Sequence, residues 1–460
     1  MSNMDSAKRQ ELLILNKKLK NYLDCENINA FLESLYNRDA QLYSLCKKSD
    51  GQLSYIKYQQ MLSLLIKNIF ADNQVERLSQ WCKSYSAGSK VTYENFKRNN
   101  IIIILNNSSQ LAHISVLKSL LSIWPIHFPK IYIYILFPGR IEDVTSLKDY
   151  LGLVDDQLIN LSNLKNFDIP SVYKIISMLK PKGVFWWAWP PGQWLSFLLS
   201  KLSNNYSVSF KYDFPTMGNF KAHLYSCSDA YGNLINYKSS TLVPFDLFFD
   251  KKDLSTSGSD SFSRGINKNP NQKIFGVLAR EEKVAQNKYL ETICTILKRE
   301  PNSIFVWTGR TKRQDIVNYF TKEGLLKRTR WLGFVKPTKF FEVIDIYVDA
   351  FPMGSGLTYV QAGLAEKPIV ALRCSNAVEP RLSYQLESYL MKQKSHKNIY
   401  LSSCLSDSIE DYINYACKYS RMNYHNKTML ADFRQVFENS FCSNQIPYDL
   451  AKKIHTLVSS

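Results

Sequence analysis

Twice along this chain, short continuous apolar runs alternate with stretches of helical periodicity, and a polar segment divides the two series. The first series opens at Ile101–Leu105 (IIIIL), which ends in Asn106-Asn107-Ser108-Ser109. A helical stretch to Ile123 follows, then Ile131–Leu136 (IYIYIL), closed by Pro138-Gly139. Val154–Leu161, a helix after Pro170, Gly183–Ala188, a helix after Gly192 and Tyr206–Tyr212 continue the pattern. The second series runs from Lys273–Leu278 through a helix carrying Leu290, Ile293 and Leu297 to Ser303–Trp307. Ile346–Val348, a helix over Thr358–Ala365 and Ile369–Leu372 complete it. Unbroken apolar runs suit strands buried on both faces, and their alternation with helices is the pattern of βαβ units in a parallel sheet. The expected fold is α/β: two Rossmann-like parallel-sheet domains facing a crevice at the carboxyl ends of their strands, where such sheets bind ligands.

The segment between the series, KKDLSTSGSDSFSRGINKNPNQ, has no apolar periodicity and reads as a linker. Ahead of the first series, Leu53, Ile56, Met61, Leu64, Leu65 and Ile69 recur at helical spacing without a repeat period, so a helical cap is expected. The expected boundaries are an all-helical domain over 1–95, Rossmann-like domains over 96–250 and 273–440 joined by the linker 251–272, and a C-terminal helix over 441–460. At 460 residues the length agrees with about three domains.

Lys and Arg number 58 against 40 Asp and Glu, a formal net charge of +18, which suggests anionic company: nucleic acid, an acidic membrane surface or a phosphate-bearing substrate. The start, MSNMDSAKRQELL, lacks the apolar region of a secretory signal. The greasiest later stretch, Gly183–Leu199, is broken by Pro190, Pro191 and Gln193 and is too short for a bilayer span of about 20 residues. Nine cysteines without a CxxC pair argue against a disulfide framework and a thiolate zinc site. The expected location is cytoplasmic, or peripheral to the inner face of the membrane.

Two segments carry chemistry. In YVDAFPMGSGLTYVQAG, Tyr347–Gly363, a strand ends at Asp349 and Gly354-Ser355-Gly356 leads into a helix near Thr358. Such a turn presents unpaired backbone N–H groups and the positive end of the helix dipole, and the Thr358 hydroxyl can donate to a phosphate oxygen. An ordinary tight turn is the competing reading. In FGVLAREEKV, Phe275–Val284, Arg280 and Lys283 follow a strand that runs out at Leu278. An arginine fork and a lysine point charge there would make a diphosphate clamp, against the alternative of a solvated turn shared with Glu281 and Glu282.

These blocks resemble the donor-binding half of the O-GlcNAc transferase family, glycosyltransferase family 41. The order FGVLAREEKV, ILKREPNSIFVW, GLLKRTRWLGFVKPTKFF, YVDAFPMGSGLT, AEKPIVAL is similar to that family's, and SFKYDFPTMGNF, Ser209–Phe220, is a fainter match to its GYPGTSG loop. The helical repeats of the animal enzymes are missing, which brings the chain nearer to stand-alone bacterial members. The resemblance implies a GT-B fold, with 96–250 on the acceptor side and 273–440 binding a nucleotide-sugar, usually UDP-linked. It places Lys283 at the family's diphosphate lysine, Thr358 at the second Thr of its Gly-His-Thr-Thr turn, Phe341 where a His lies beside the uracil, and Val335-Lys336-Pro337 at the base-contacting loop. Gly356-Leu357 replace His-Thr, and Gln361 replaces an Asp that holds the ribose. Gly354, Ser355, Gly356, Leu357 and Arg280 complete the expected donor site.

The expected function is thus a glycosyltransferase for hexosyl or N-acetylhexosaminyl groups, inverting by resemblance, with a protein or glycan acceptor, the surplus positive charge suiting an anionic one. The departing diphosphate needs stabilisation, often from a cation on Asp-x-Asp, but the chain has no such triplet. Lys283 and the helix N-terminus can replace the ion, so no metal or cofactor is expected. His113, after the first strand, and Asp213, in KYDFPT, are the candidate bases for the acceptor hydroxyl, beside the blander roles of packing and turn capping. An alternative is a peripheral-membrane or polysaccharide-assembly transferase with a lipid-linked or glycan acceptor, its weak membrane contact made by Phe185, Trp186, Trp187, Trp189 and Trp194. A nucleic-acid-binding protein, resting on the basic cluster of Arg310, Lys312, Arg313, Lys322, Lys327, Arg328 and Arg330, lacks any helix-turn-helix, finger or RNP signature, so no nucleic-acid partner is expected.

Overall fold

The computed structural model describes residues 80, 97–105, 112–137, 144–154, 157–160, 169–187, 199, 202–210, 220–226, 241–250, 272–352, 354, 356–373, 385–386, 389–390, 405–422 and 427–460. Apart from residues 80 and 272, the helical cap and the linker lie outside the described residues, as do Asp213, Ser355, Trp189 and Trp194. The chain divides into two compact units, one built on residues up to Tyr225 with Gly232–Pro244 and Leu450–Ser460, the other on Phe245–Asp449 with Ser226–Tyr231.

The first unit holds β1 (Asn100–Leu105), α1 (Ala112–His127), β2 (Tyr132–Phe137), α2 (Val144–Leu151), β3 (Leu158–Asn160), α3 (Ile169–Leu179), β4 (Val184–Trp187), β5 (Asn205–Ser209), β6 (Ala222–Ser226) and β7 (Thr241–Phe245). They form one seven-stranded sheet in the order β3-β2-β1-β4-β5-β6-β7. β1 runs parallel to β2 and β4, and β4 to β5. All six residues of β1 are buried, as a central strand covered on both faces requires. The expected strand Val154–Leu161 shrinks to three residues. Gly152 turns the chain at φ +67° and Val154 is 59% exposed, so this edge strand has little apolar surface to bury before Leu158. Phe185, Trp186 and Trp187 are buried within β4, which accounts for them as core.

Residues from the C-terminal end complete this unit. The Tyr206 hydroxyl donates to the Leu457 carbonyl at 2.7 Å, and the Phe128 and His455 rings stack at 4.6 Å.

The second unit holds β8 (Lys273–Val277), α4 (Glu281–Val284), α5 (Asn287–Arg299), β9 (Ser303–Trp307), α6 (Gln314–Lys322), β10 (Thr329–Trp331), α7 (Pro337–Val343), β11 (Ile346–Val348), α8 (Gly356–Leu364), β12 (Ile369–Leu372), β13 (Leu405–Ser406), α9 (Ile409–Arg421), α10 (Lys427–Phe441) and the start of α11 (Gln445–Ser459). Its sheet runs β10-β9-β8-β11-β12-β13, and every neighbouring pair is parallel. In the unit's own chain order that is 3-2-1-4-5-6, the doubly wound Rossmann arrangement. α5 buries Tyr289, Leu290, Ile293, Ile296 and Leu297 along one stripe and ends on Lys298 and Arg299, cations that suit the negative end of its dipole. Ser408 caps α9 by accepting from the Asp411 N–H at 3.0 Å.

Among the described residues no helix is long and apolar enough to cross a membrane.

Candidate functional site

In the 3-2-1-4-5-6 order the connections leave in opposite senses on either side of β8 and β11, and the crevice beyond their carboxyl ends is the ligand position of such sheets. The turns after these two strands carry FGVLAREEKV and YVDAFPMGSGLT. α8 begins at Gly356, two residues before the expected start, because the glycine and Leu357 already adopt helical geometry. The N–H groups of a helix's first turn lie beyond the intrahelical ladder, which is why helix starts at this end of such sheets can take an anion.

Lys283 is the third residue of α4 and is 9% exposed. Its ammonium donates to the Gly354 carbonyl, joining the two turns. A buried ammonium needs such acceptors, since desolvation without a hydrogen bond is costly. Arg280 caps the start of α4 with an exposed side chain and pairs with Glu282 at 2.9 Å. The two cations are therefore placed differently, one buried and bonded to Gly354, the other exposed and paired with Glu282.

On the β11 side, the Tyr347 hydroxyl donates to Asp349 Oδ1 at 3.2 Å and lies 2.9 Å from Thr358 Oγ1. Asp349 is 4% exposed, and burial followed by its negative charge holds the Tyr347 phenol well above the ordinary range. A carboxylate has no proton to give, so Tyr347 is the donor to Asp349 and accepts from Thr358. The Thr358 proton thus points inward, toward Tyr347. Tyr289 and Tyr412 donate to the Val348 and Asp349 carbonyls, both at 2.9 Å, fixing the strand end. A Cβ on Gly354 would lie 2.7 Å from Asp349 Oδ2, so only glycine lets this turn approach the carboxylate.

The turns after β8, β9 and β10 are stitched together. Glu281 accepts from the Arg310 N–H and the Thr311 hydroxyl, each at 3.0 Å. Burial opposes its charge, but these bonds and its own backbone N–H outweigh that and hold its pKa below the usual carboxylate value. Thr308 and Ala279 exchange hydrogen bonds at 3.0 Å, and the Gly309 N–H donates to Gly333 O at 3.2 Å.

Of the other expected donor residues, Gln361 is buried on α8, Val335 is buried before α7, and Lys336 is half-buried at the α7 start. Gly356 and Leu357 are half-buried in the first turn of α8. Phe341 is 3% exposed, its ring centroid 5.4 Å from Phe340 and 6.0 Å from Tyr347. In the first unit, His113 is the second residue of α1, beyond the β1/β4 junction where that sheet reverses its winding. Its carbonyl accepts from Trp187 Nε1 at 2.8 Å and its ring lies 6.0 Å from Phe210.

Sequence reasoning left Tyr347, Asp349 and Glu281 without roles. A charge ending the apolar run IYV was the signal for Asp349. The basic cluster is partly spent locally: Arg313 pairs with Asp315, Arg328 donates to the Ser303 carbonyl at 2.9 Å, and Arg330 to that of Lys327 at 2.9 Å.

No protein-family model matches the chain, and no curated protein matches it. Solved structures do. The chain is similar to a lysine-to-methionine mutant of the Thermobaculum terrenum O-GlcNAc transferase at 12% identity and TM-score 0.57, over 97% of this chain and 84% of that one. It is also similar to the apo form of the lipopolysaccharide outer core galactosyltransferase WaaB at 13% identity and TM-score 0.50, over 77% of this chain and 99% of that one. At such identities the likeness is one of fold: the two Rossmann-like units are those of the GT-B class.

Proposed function

We propose that this chain is a glycosyltransferase that takes a sugar from a UDP-linked donor held by the second unit, belongs with glycosyltransferase family 41, and needs no metal. The observation that carries this is the buried Lys283 ammonium bonded to the Gly354 carbonyl at the turn that opens α8. A fixed cation and a set of helix N–H donors meet there at the ligand end of a doubly wound sheet. As the glycosidic bond breaks, negative charge gathers on the departing diphosphate, and preorganised donors stabilise that charge at no reorganisation cost. The fold shared with an O-GlcNAc transferase and a galactosyltransferase supports the same reading.

Each residue then has a task. Lys283 neutralises the diphosphate, the first-turn N–H groups of α8 donate to its oxygens, and Thr358 turns its proton outward to join them. Arg280 can leave Glu282 for a phosphate, an exchange that costs little for an exposed ion pair. Gln361 takes the ribose in this reading. His113, as a neutral imidazole, takes the proton of an acceptor hydroxyl on a protein or glycan, which then attacks the anomeric carbon from the face opposite the diphosphate and inverts it.

The test is turnover and hydrolysis with UDP-Glc, UDP-Gal, UDP-GlcNAc and UDP-GalNAc, in the presence of EDTA. Turnover of one donor that survives EDTA is expected. Failure to bind or turn over any of the four removes the donor assignment, and loss in EDTA with recovery in Mn²⁺ removes the metal-free mechanism. Full transfer by His113→Ala removes His113 as the base.

A further inference from the structure

Phe334 is the one exposed phenylalanine among the described residues, at 55% exposure. An isolated apolar ring in water is unremarkable on a random surface, but this one stands three residues beyond β10, at the ligand end of the second sheet. Its turn is held rather than loose: Gly333 takes φ +75°, and its carbonyl accepts from the Gly309 N–H. The Arg310 guanidinium lies 5.9 Å from the ring centroid, a cation against the ring's electron-rich face. Arg310 is itself tied by its backbone N–H to Glu281, two residues before Lys283. A continuous set of contacts therefore runs from Phe334 through Arg310 and Glu281 to the phosphate end of the site.

We propose that Phe334, backed by Arg310, is the shelf on which the nucleobase of the donor stacks. The inference rests on the donor-site reading and deepens it. β8 and β10 are two strand spacings apart, about 10 Å, which a ribose and its first phosphate span. Phe341, placed beside the base by family resemblance, is enclosed between Phe340 and Tyr347 at 3% exposure. Phe334 instead offers an open aromatic face. Every base has a π-face, so the shelf supplies affinity for a nucleoside diphosphate and leaves base choice to hydrogen bonds made elsewhere.

The experiment compares UDP with inorganic pyrophosphate, which has no base, by titration calorimetry on the full chain. Phe334→Ala is expected to weaken UDP about tenfold, the worth of one base–aromatic stack, while pyrophosphate affinity and melting temperature stay at the wild-type values. Phe334→Trp should restore UDP binding. UDP affinity unchanged in Phe334→Ala overturns the shelf, and so does an equal loss for pyrophosphate, which would mark a distorted loop. If the wild-type chain binds neither probe, the donor-site reading falls and the shelf with it.

Discussion

The Lys283 ammonium donates to the carbonyl of Gly354, 71 positions further along the chain. The bond ties the short helix after the first strand of the second sheet to the turn after its fourth. It also holds a charge inside the fold, at the turn that opens α8.

Lys283→Met keeps the aliphatic stem and removes the charge. A hydrogen bond to a charged group contributes about 1.5–3 kcal/mol, so UDP affinity should fall by roughly tenfold or more. The Gly354 carbonyl loses its donor, which should cost about 1 kcal/mol of stability. Calorimetric titration with UDP and urea unfolding read the two effects separately; UDP affinity unchanged by the loss of charge would take Lys283 out of the site.

Two glycines separate binding from packing. A Cβ on Gly363 would lie 2.3 Å from the Phe437 ring, so Gly363→Ala should overpack the α8–α10 contact and cost about 1–3 kcal/mol. Its UDP affinity per folded molecule should be unchanged. Gly354→Ala drives a Cβ against Asp349 and should shift the turn, lowering UDP affinity roughly tenfold or more. Equal affinity losses in the two variants would contradict this division.

The direction of the Thr358 proton can be read from a pair of variants. Tyr347→Phe removes the acceptor that holds the proton inward, so UDP should bind at least as tightly as to wild type. The variant also deprives buried Asp349 of a donor, at a cost of about 1–3 kcal/mol in unfolding free energy. Thr358→Val should weaken UDP severalfold. Weaker UDP binding by Tyr347→Phe would mean that Tyr347 holds Thr358 for the ligand.

His223, on β6, is 3% exposed, and burial pushes its pKa down to about 4. Above about pH 6.5 both folded and unfolded chains hold it neutral. As pH falls below that value the unfolded chain gains a proton that the folded one refuses, so stability drops until the folded pKa near 4 is reached. The full loss from this group is about 3 kcal/mol. His223→Gln, which cannot titrate, should flatten that part of the urea-midpoint profile between pH 6.5 and 4; an unchanged slope would discount the burial of His223 as its cause.

Much of the fold was legible because its signal is local. Ser303–Trp307, Ile346–Val348 and Ile369–Leu372 are strands with the limits their apolar runs suggest, since a strand buried on both faces must be apolar throughout. β6 and β7 escaped notice: AHLYS has a buried histidine within it and TLVPF a proline, so neither is a clean apolar run. The placement of the candidate site's residues was legible in part. The Gly-rich turn and Lys283 sit where the sequence put them, at the ligand end of the second sheet.

The sequence by itself determined which segments become strands and helices, and that they alternate in two series, because hydrophobic period is written in neighbouring residues. Only the tertiary structure decided what those segments present to a ligand. It turned Lys283 inward to Gly354 and left Arg280 outside with Glu282, though the two cations are three positions apart in one sequence block. It enclosed Phe341 against Tyr347 and opened Phe334 beside Arg310. Burial and pairing depend on residues brought together from distant positions, and spacing along the chain does not carry that information.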